Sequence, residues 1–188
     1  MPIYMDVHIV PGVKAKDVAI NLLQTTNKNP VIYESLIAIS NVDVDEAVLQ
    51  ATRFDNNPSP SIYAARAAIY AKKGSNISYE FFTNEKAKNI PLDYLEEFIS
   101  SFATYLSKQD AATQQKGLDL IKSDFFLNGP ITQYRRFYII TGLAKRYNEE
   151  FNAAFKEKLR TTMVAIYNQE KDSYLKEVLK ESFGDLLD

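Results

Sequence analysis

Along most of this chain, from about Lys14 onward, apolar positions recur at steps of three and four residues, the spacing of helices with one buried face. Leu92, Leu95, Ile99, Phe102 and Leu106 form the clearest stripe, and it begins just after Pro91, a residue favoured in a first helical turn. Phe151, Phe155, Leu159, Met163 and Ile166 predict a second such helix, and Leu175, Val178, Leu179, Phe183 and Leu186 a third. The opening twelve residues, MPIYMDVHIVPG, read differently. There Ile3, Met5, Val7 and Ile9 alternate with Tyr4, Asp6, His8 and Val10, the two-residue period of a strand.

Breaks fall at 27–30, 56–60, 74–76, 89–91 and 128–130, each rich in Asn, Gly or Pro. Asp43 with Glu46, and Ser107 with Asp110, have the spacing of capping boxes and are expected to start helices. Nine or ten helices joined by short turns result. Residues 1–12 are expected to form a strand or extended arm and residues 13–188 a helical domain. A lone strand leaves its backbone donors and acceptors without partners, so pairing with a second copy, and hence a homodimer, is one expected outcome.

The breaks also repeat. Pro30-Val-Ile-Tyr33 returns as Pro60-Ser-Ile-Tyr63, and Asn89-Ile-Pro91 as Asn128-Gly-Pro130, each time opening a helix pair. Recurrence at this scale is the mark of helical repeats, where stacking completes a core that no unit closes alone. The expected fold class is therefore mainly α: a HEAT-like helical repeat, or α-solenoid, with an irregular bundle as the alternative.

Composition narrows the chemistry. At 46% hydrophobic over 188 residues the chain can bury a sizeable core, and 22 Lys and Arg against 24 Asp and Glu leave a formal charge of −2. No overall field recruits nucleic acid. The absence of cysteine excludes disulfides, thiolate metal sites and a Cys nucleophile. No apolar run approaches the roughly 20 residues that span a bilayer, and no charged segment followed by an apolar one opens the chain, so a soluble protein without a signal peptide is expected.

Two stretches carry family likenesses. AVLQATRFDNNPSPSIYAARAAIYAKKGSNISYEFF, residues 47–82, resembles the HEAT-like helix pairs in the carboxy-terminal region of zinc aminopeptidases of the aminopeptidase N type. The likeness extends through FISSFATYLSKQDAATQQKGLDLIKSDFF to residue 188. That resemblance implies a non-catalytic region packed on a catalytic domain of the same parent chain, shaping access to its peptide-binding cavity. The peptidase zinc site needs two histidines four residues apart with a glutamate between them, and this chain has one histidine, so no peptidase activity is expected here. MPIYMDVHIVPGVKAKDVA, residues 1–19, resembles the first strand and helix of small ferredoxin-like domains, some nickel-binding. On that resemblance His8 matches a metal-ligating position, while the family's second histidine would fall at Leu22.

Among candidate sites, Asp6 and His8 share one strand face and supply one oxygen and one nitrogen toward nickel or zinc, short of the three or four ligands a tight site needs. Asp43, Asp45 and Glu46 read as helix capping rather than as a calcium loop, for want of the central Gly and terminal Glu. Glu96-Glu97 and Glu149-Glu150 point about 100° apart on a helix and are expected to be solvated faces. The leading recognition surface is Arg135-Arg136 with Tyr134, Phe137 and Tyr138, joined by Lys145 and Arg146. Cations interleaved with aromatics suit a peptide carboxylate, or stacked bases and phosphates. The alternative turns the aromatics inward and leaves the cations in water.

Overall fold

The computed structural model describes residues 15–129 and 134–187. Its elements are α1 (Ala15–Thr25), α2 (Asn29–Val42), α3 (Val44–Thr52), α4 (Pro60–Lys73), α5 (Ser78–Thr83), a 3-10 turn (Glu85–Asn89), α6 (Leu92–Leu106), α7 (Ala111–Ile121), α8 (Asp124–Leu127), α9 (Arg135–Glu149), α10 (Ala153–Asn168) and α11 (Ser173–Leu187). The protein is mainly α-helical, and the described residues contain no strand. The strand expected over residues 1–12 lies outside them. No described helix is long and apolar enough to cross a membrane.

The long helices pack in order. α1 lies on α2, α2 on α4, α4 on α6, α6 on α9, α9 on α10 and α10 on α11. Shorter helices bridge these pairs: α3 touches both α2 and α4, α5 both α4 and α6, and α7 both α6 and α10. The recurring prolines mark this row. Pro30 and Pro60 sit in the first turns of α2 and α4, and Pro91 is the residue immediately before α6. At the first turn a proline forfeits no helical hydrogen bond, and its fixed φ suits the helix start.

Small side chains let the row close up. Ala64, Ala65, Ala67 and Ala71 of α4 are buried, and Gly142 of α9 sits where a Cβ would stand 2.5 Å from the carbonyl oxygen of Glu96 on α6. Large aromatics fill the gap beneath. Phe82 and Phe102 stack with centroids 4.4 Å apart, and Phe98 and Phe126 complete the cluster that ties α5, α6 and α8. α4 ends on Gly74, whose φ of 76° returns its N–H to the carbonyls of Ala71 and Tyr70, a left-handed cap that glycine adopts without Cβ strain.

Two expectations about helix ends change. Ser107 closes α6, and Asp110 alone caps α7 by accepting from the N–H groups of Ala112 and Thr113. Asp43 does cap α3, accepting from the Glu46 N–H at 3.0 Å. Phe151 keeps the spacing of its stripe yet stands outside α10, which starts after the cap Asn152, and it is 100% exposed.

Candidate functional site

A shallow trough crosses the row. It encloses about 270 Å³ and takes side chains from four helices: Asn41 and Ser40 of α2, Lys72 of α4, Glu97, Ser100, Ser101 and Thr104 of α6, and Lys145, Arg146 and Glu149 of α9. α2, α4 and α9 each contribute from their second half, so cations here complement the negative ends of the helix dipoles.

Most of the charge is internally matched. Lys145 Nζ donates to Glu97 Oε2 at 2.6 Å, joining α9 to α6. Burial alone would lower the pKa of Lys145; the hydrogen bond it donates to Glu97 and the nearby carboxylates of Glu97, Glu96 and Glu149 outweigh it and hold the ammonium above the usual lysine range. Arg146 donates to Glu150 Oε2 at 2.6 Å and to Ser107 Oγ at 3.3 Å. Glu150 is only 9% exposed, and it caps the turn into α10 by accepting from the Asn152 N–H at 2.8 Å. Burial pushes its pKa up, but that backbone donor and Arg146 pull harder and leave the carboxyl below the usual range.

Four side chains have no such ion-pair partners. Lys72 Nζ donates only to the neutral amide oxygen of Asn41, at 2.8 Å. Glu149 has no ion-pair partner among the described residues. Ser100 and Ser101 are 4% and 8% exposed; neither hydroxyl bonds to another described residue, and both oxygens stay open to water in the trough.

The basic and aromatic run from Tyr134 is divided by the fold. Arg135 is 0% exposed: its Nε donates to the carbonyl of Phe126 at 2.8 Å and Nη1 to that of Ile90 at 3.1 Å, and burial draws its pKa down. It is an interior clasp, not a surface cation, because the turns after the 3-10 segment and at α8 leave carbonyls that its planar donor fork can reach. Arg136 faces Glu170 at 3.8 Å beside the α10–α11 turn, and Tyr134 is 42% exposed at the start of α9. Lys145 and Arg146 alone reach the trough. Glu149 and Glu150 also part company, the first lining the trough and the second buried against Arg146, so the expectation of a solvated pair holds for Glu149 only.

Asp6 and His8 lie outside the described residues. Among the described residues no three His, Cys, Asp or Glu side chains gather as a metal site. Asp43 and Asp45 are instead engaged by Lys16 and Lys73. Sequence reasoning passed over Lys72, Ser100 and Ser101 and read Glu97 and Glu149 only as solvated helix faces; the union of these residues depends on the packing of separate helices. Compared with known proteins, the chain matches no family model, no curated protein and no solved structure.

Proposed function

We propose that this chain is a non-catalytic scaffold of HEAT-like helix pairs that holds a segment of another protein surface in the trough. One observation carries the reading: four long helices, successive in the row, each offer hydrogen-bonding side chains to one continuous recess. Stacked helices with a shared lined face are how repeat scaffolds bind extended partners. The resemblance of residues 47–188 to the carboxy-terminal region of zinc aminopeptidases supports the same role, and makes a catalytic domain of the same parent chain the first partner to consider.

Display of random twelve-residue peptides against the purified chain tests the reading. Thr104 is half-buried in the recess, and Thr104→Tyr fills it. Enriched peptides are expected to bind the natural chain and to lose most of their affinity for this variant. Absence of enrichment, or equal binding to the folded variant, overturns the reading.

A further inference from the structure

Asn128-Gly129, the one Asn-Gly step in the chain, closes α8 directly beside the Arg135 guanidinium. Asn128 is exposed, while Gly129 is buried so tightly that a Cβ there would stand 2.4 Å from Arg135 Cζ and 2.6 Å from the carbonyl oxygen of Lys88. Arg135 grips the same junction on the helix side, through the hydrogen bond from Nε to the Phe126 carbonyl, and the Asn128 N–H donates to the carbonyl of Asp124 at 3.1 Å. An asparagine followed by glycine is the pair readiest to close a five-membered imide, because the glycine has no Cβ to keep its peptide nitrogen from the asparagine side chain.

We infer that Asn128 is a latent deamidation site, held shut by Arg135. In the reaction the Gly129 peptide nitrogen gives up its proton and attacks Asn128 Cγ. A C–N bond forms, the bond from Cγ to the side-chain nitrogen breaks, and that nitrogen takes up a proton and leaves as ammonia. Water then opens the imide, at Cγ to give aspartate or at the Asn128 main-chain carbonyl to give isoaspartate, and the Gly129 nitrogen regains its proton. The net exchange is amide and water for acid and ammonia, with nothing oxidised or reduced. Ring closure needs the Gly129 nitrogen on the same side of the Cα–C bond as Asn128 Cβ. At the observed ψ of 29° it lies on the far side, so the peptide plane must first turn through nearly half a revolution. That turn swings Gly129 away from Phe126, which Arg135 forbids while it holds both. The step therefore proceeds through a local opening in which Arg135 lets go. Isoaspartate adds a carbon to the main chain between α8 and Gly129, and the lengthened junction no longer fits back beneath the guanidinium.

Timed incubation of the purified chain in mildly alkaline buffer, followed by peptide mass spectrometry, tests this. The mass gained when an amide becomes an acid reports the reaction at Asn128, and chromatography separates the aspartyl and isoaspartyl forms. The folded natural chain is expected to react at least about tenfold more slowly than the same chain unfolded in urea. Arg135→Leu, shown to be folded by circular dichroism, is expected to react about five- to a hundredfold faster than the natural chain, and Arg135→Lys, which keeps a donor at the junction, to fall between the two. Should Arg135→Leu fail to fold, Arg135→Lys against the natural chain carries the comparison. Leu23→Ala loosens the core in α1, at the far end of the row, and is expected to leave the rate unchanged. Equal rates in the folded and unfolded natural chain overturn the inference, as does a folded Arg135 variant that reacts no faster. Acceleration by Leu23→Ala to match the Arg135 variants assigns the reaction to global unfolding and overturns Arg135 as the gate. The isoaspartyl fraction is expected to unfold at lower urea than the natural chain, and Asn128→Asp at the same urea; equal midpoints for the isoaspartyl and natural chains overturn the misfit at the junction.

Discussion

The guanidinium of Arg135 donates a 3.1 Å hydrogen bond to the carbonyl of Ile90, 45 residues earlier in the chain, and a second of 2.8 Å to that of Phe126. One side chain thus fixes the start of α9 against both the segment entering α6 and the end of α8. Arg135→Leu is expected to leave these carbonyls without that donor and to destabilise the protein by about 1–3 kcal/mol, measured by urea unfolding. An unchanged midpoint would count against the clasp.

Gly142 marks the closest approach of α9 to α6. A Cβ there would stand 2.5 Å from the Glu96 carbonyl oxygen and 3.0 Å from Ile99 Cβ, with backbone on one side and a branched side chain on the other. Gly142→Ala would ordinarily raise helix propensity, but here overpacking is expected to dominate and cost about 1–3 kcal/mol. Because the shift separates Lys145 from Glu97, the trough should also lose peptide affinity. Calorimetric Tm and anisotropy on the same sample check both.

Acid stability should depend on Glu150. Its carboxyl lies below the ordinary value of 4.5, so the native state holds its proton less tightly than the unfolded chain does. Its contribution is present above that ordinary value and is lost as pH falls through the depressed one. Glu150→Gln is expected to cost about 1–2 kcal/mol at pH 7, with the gap to the natural chain closing below about pH 4.5. Lys145, raised above its ordinary 10.5, acts on the opposite limb, contributing below that value and fading as pH climbs through the raised one. A pH series of urea midpoints resolves the two.

Phe151 and Asn152 are neighbours with opposite expected effects. Phe151 touches no core, so Phe151→Ala is expected to change stability by less than about 0.5 kcal/mol. Asn152 accepts from the N–H groups of Ala154 and Phe155 at 3.0 and 3.1 Å, so Asn152→Ala should cost about 1 kcal/mol. Thermal unfolding of both variants checks the pair, and a larger loss from Phe151→Ala would reinstate it as a core residue.

Those two residues also show where pattern reading stops. The stripe from Leu92 to Leu106 was legible because every step falls within one helix, and the prolines were legible because their constraint on φ is local. Phe151 keeps the helical spacing by accident of position, one residue outside the cap. Arg135 looked like a surface cation because residue type alone reports an affinity for water; the carbonyls that overrule it lie 9 and 45 residues away. Ser100 and Ser101 were silent for a related reason. Their meaning comes from the helices to either side of α6, and nothing about a serine in its own helix announces that.

The order of packing has a kinetic consequence. Pairs such as α1–α2 and α10–α11 join segments close together in sequence and lose little loop-closure entropy, whereas α6 and α9, the most extensively packed pair, must first close the loop that holds α7 and α8. The adjacent pairs are therefore expected to form first and α6–α9 later, on the microsecond-to-millisecond scale of helical domains. Arg135, whose bond to Ile90 cannot form until α6 and α9 have met, closes last, like a buckle on a strap already wound.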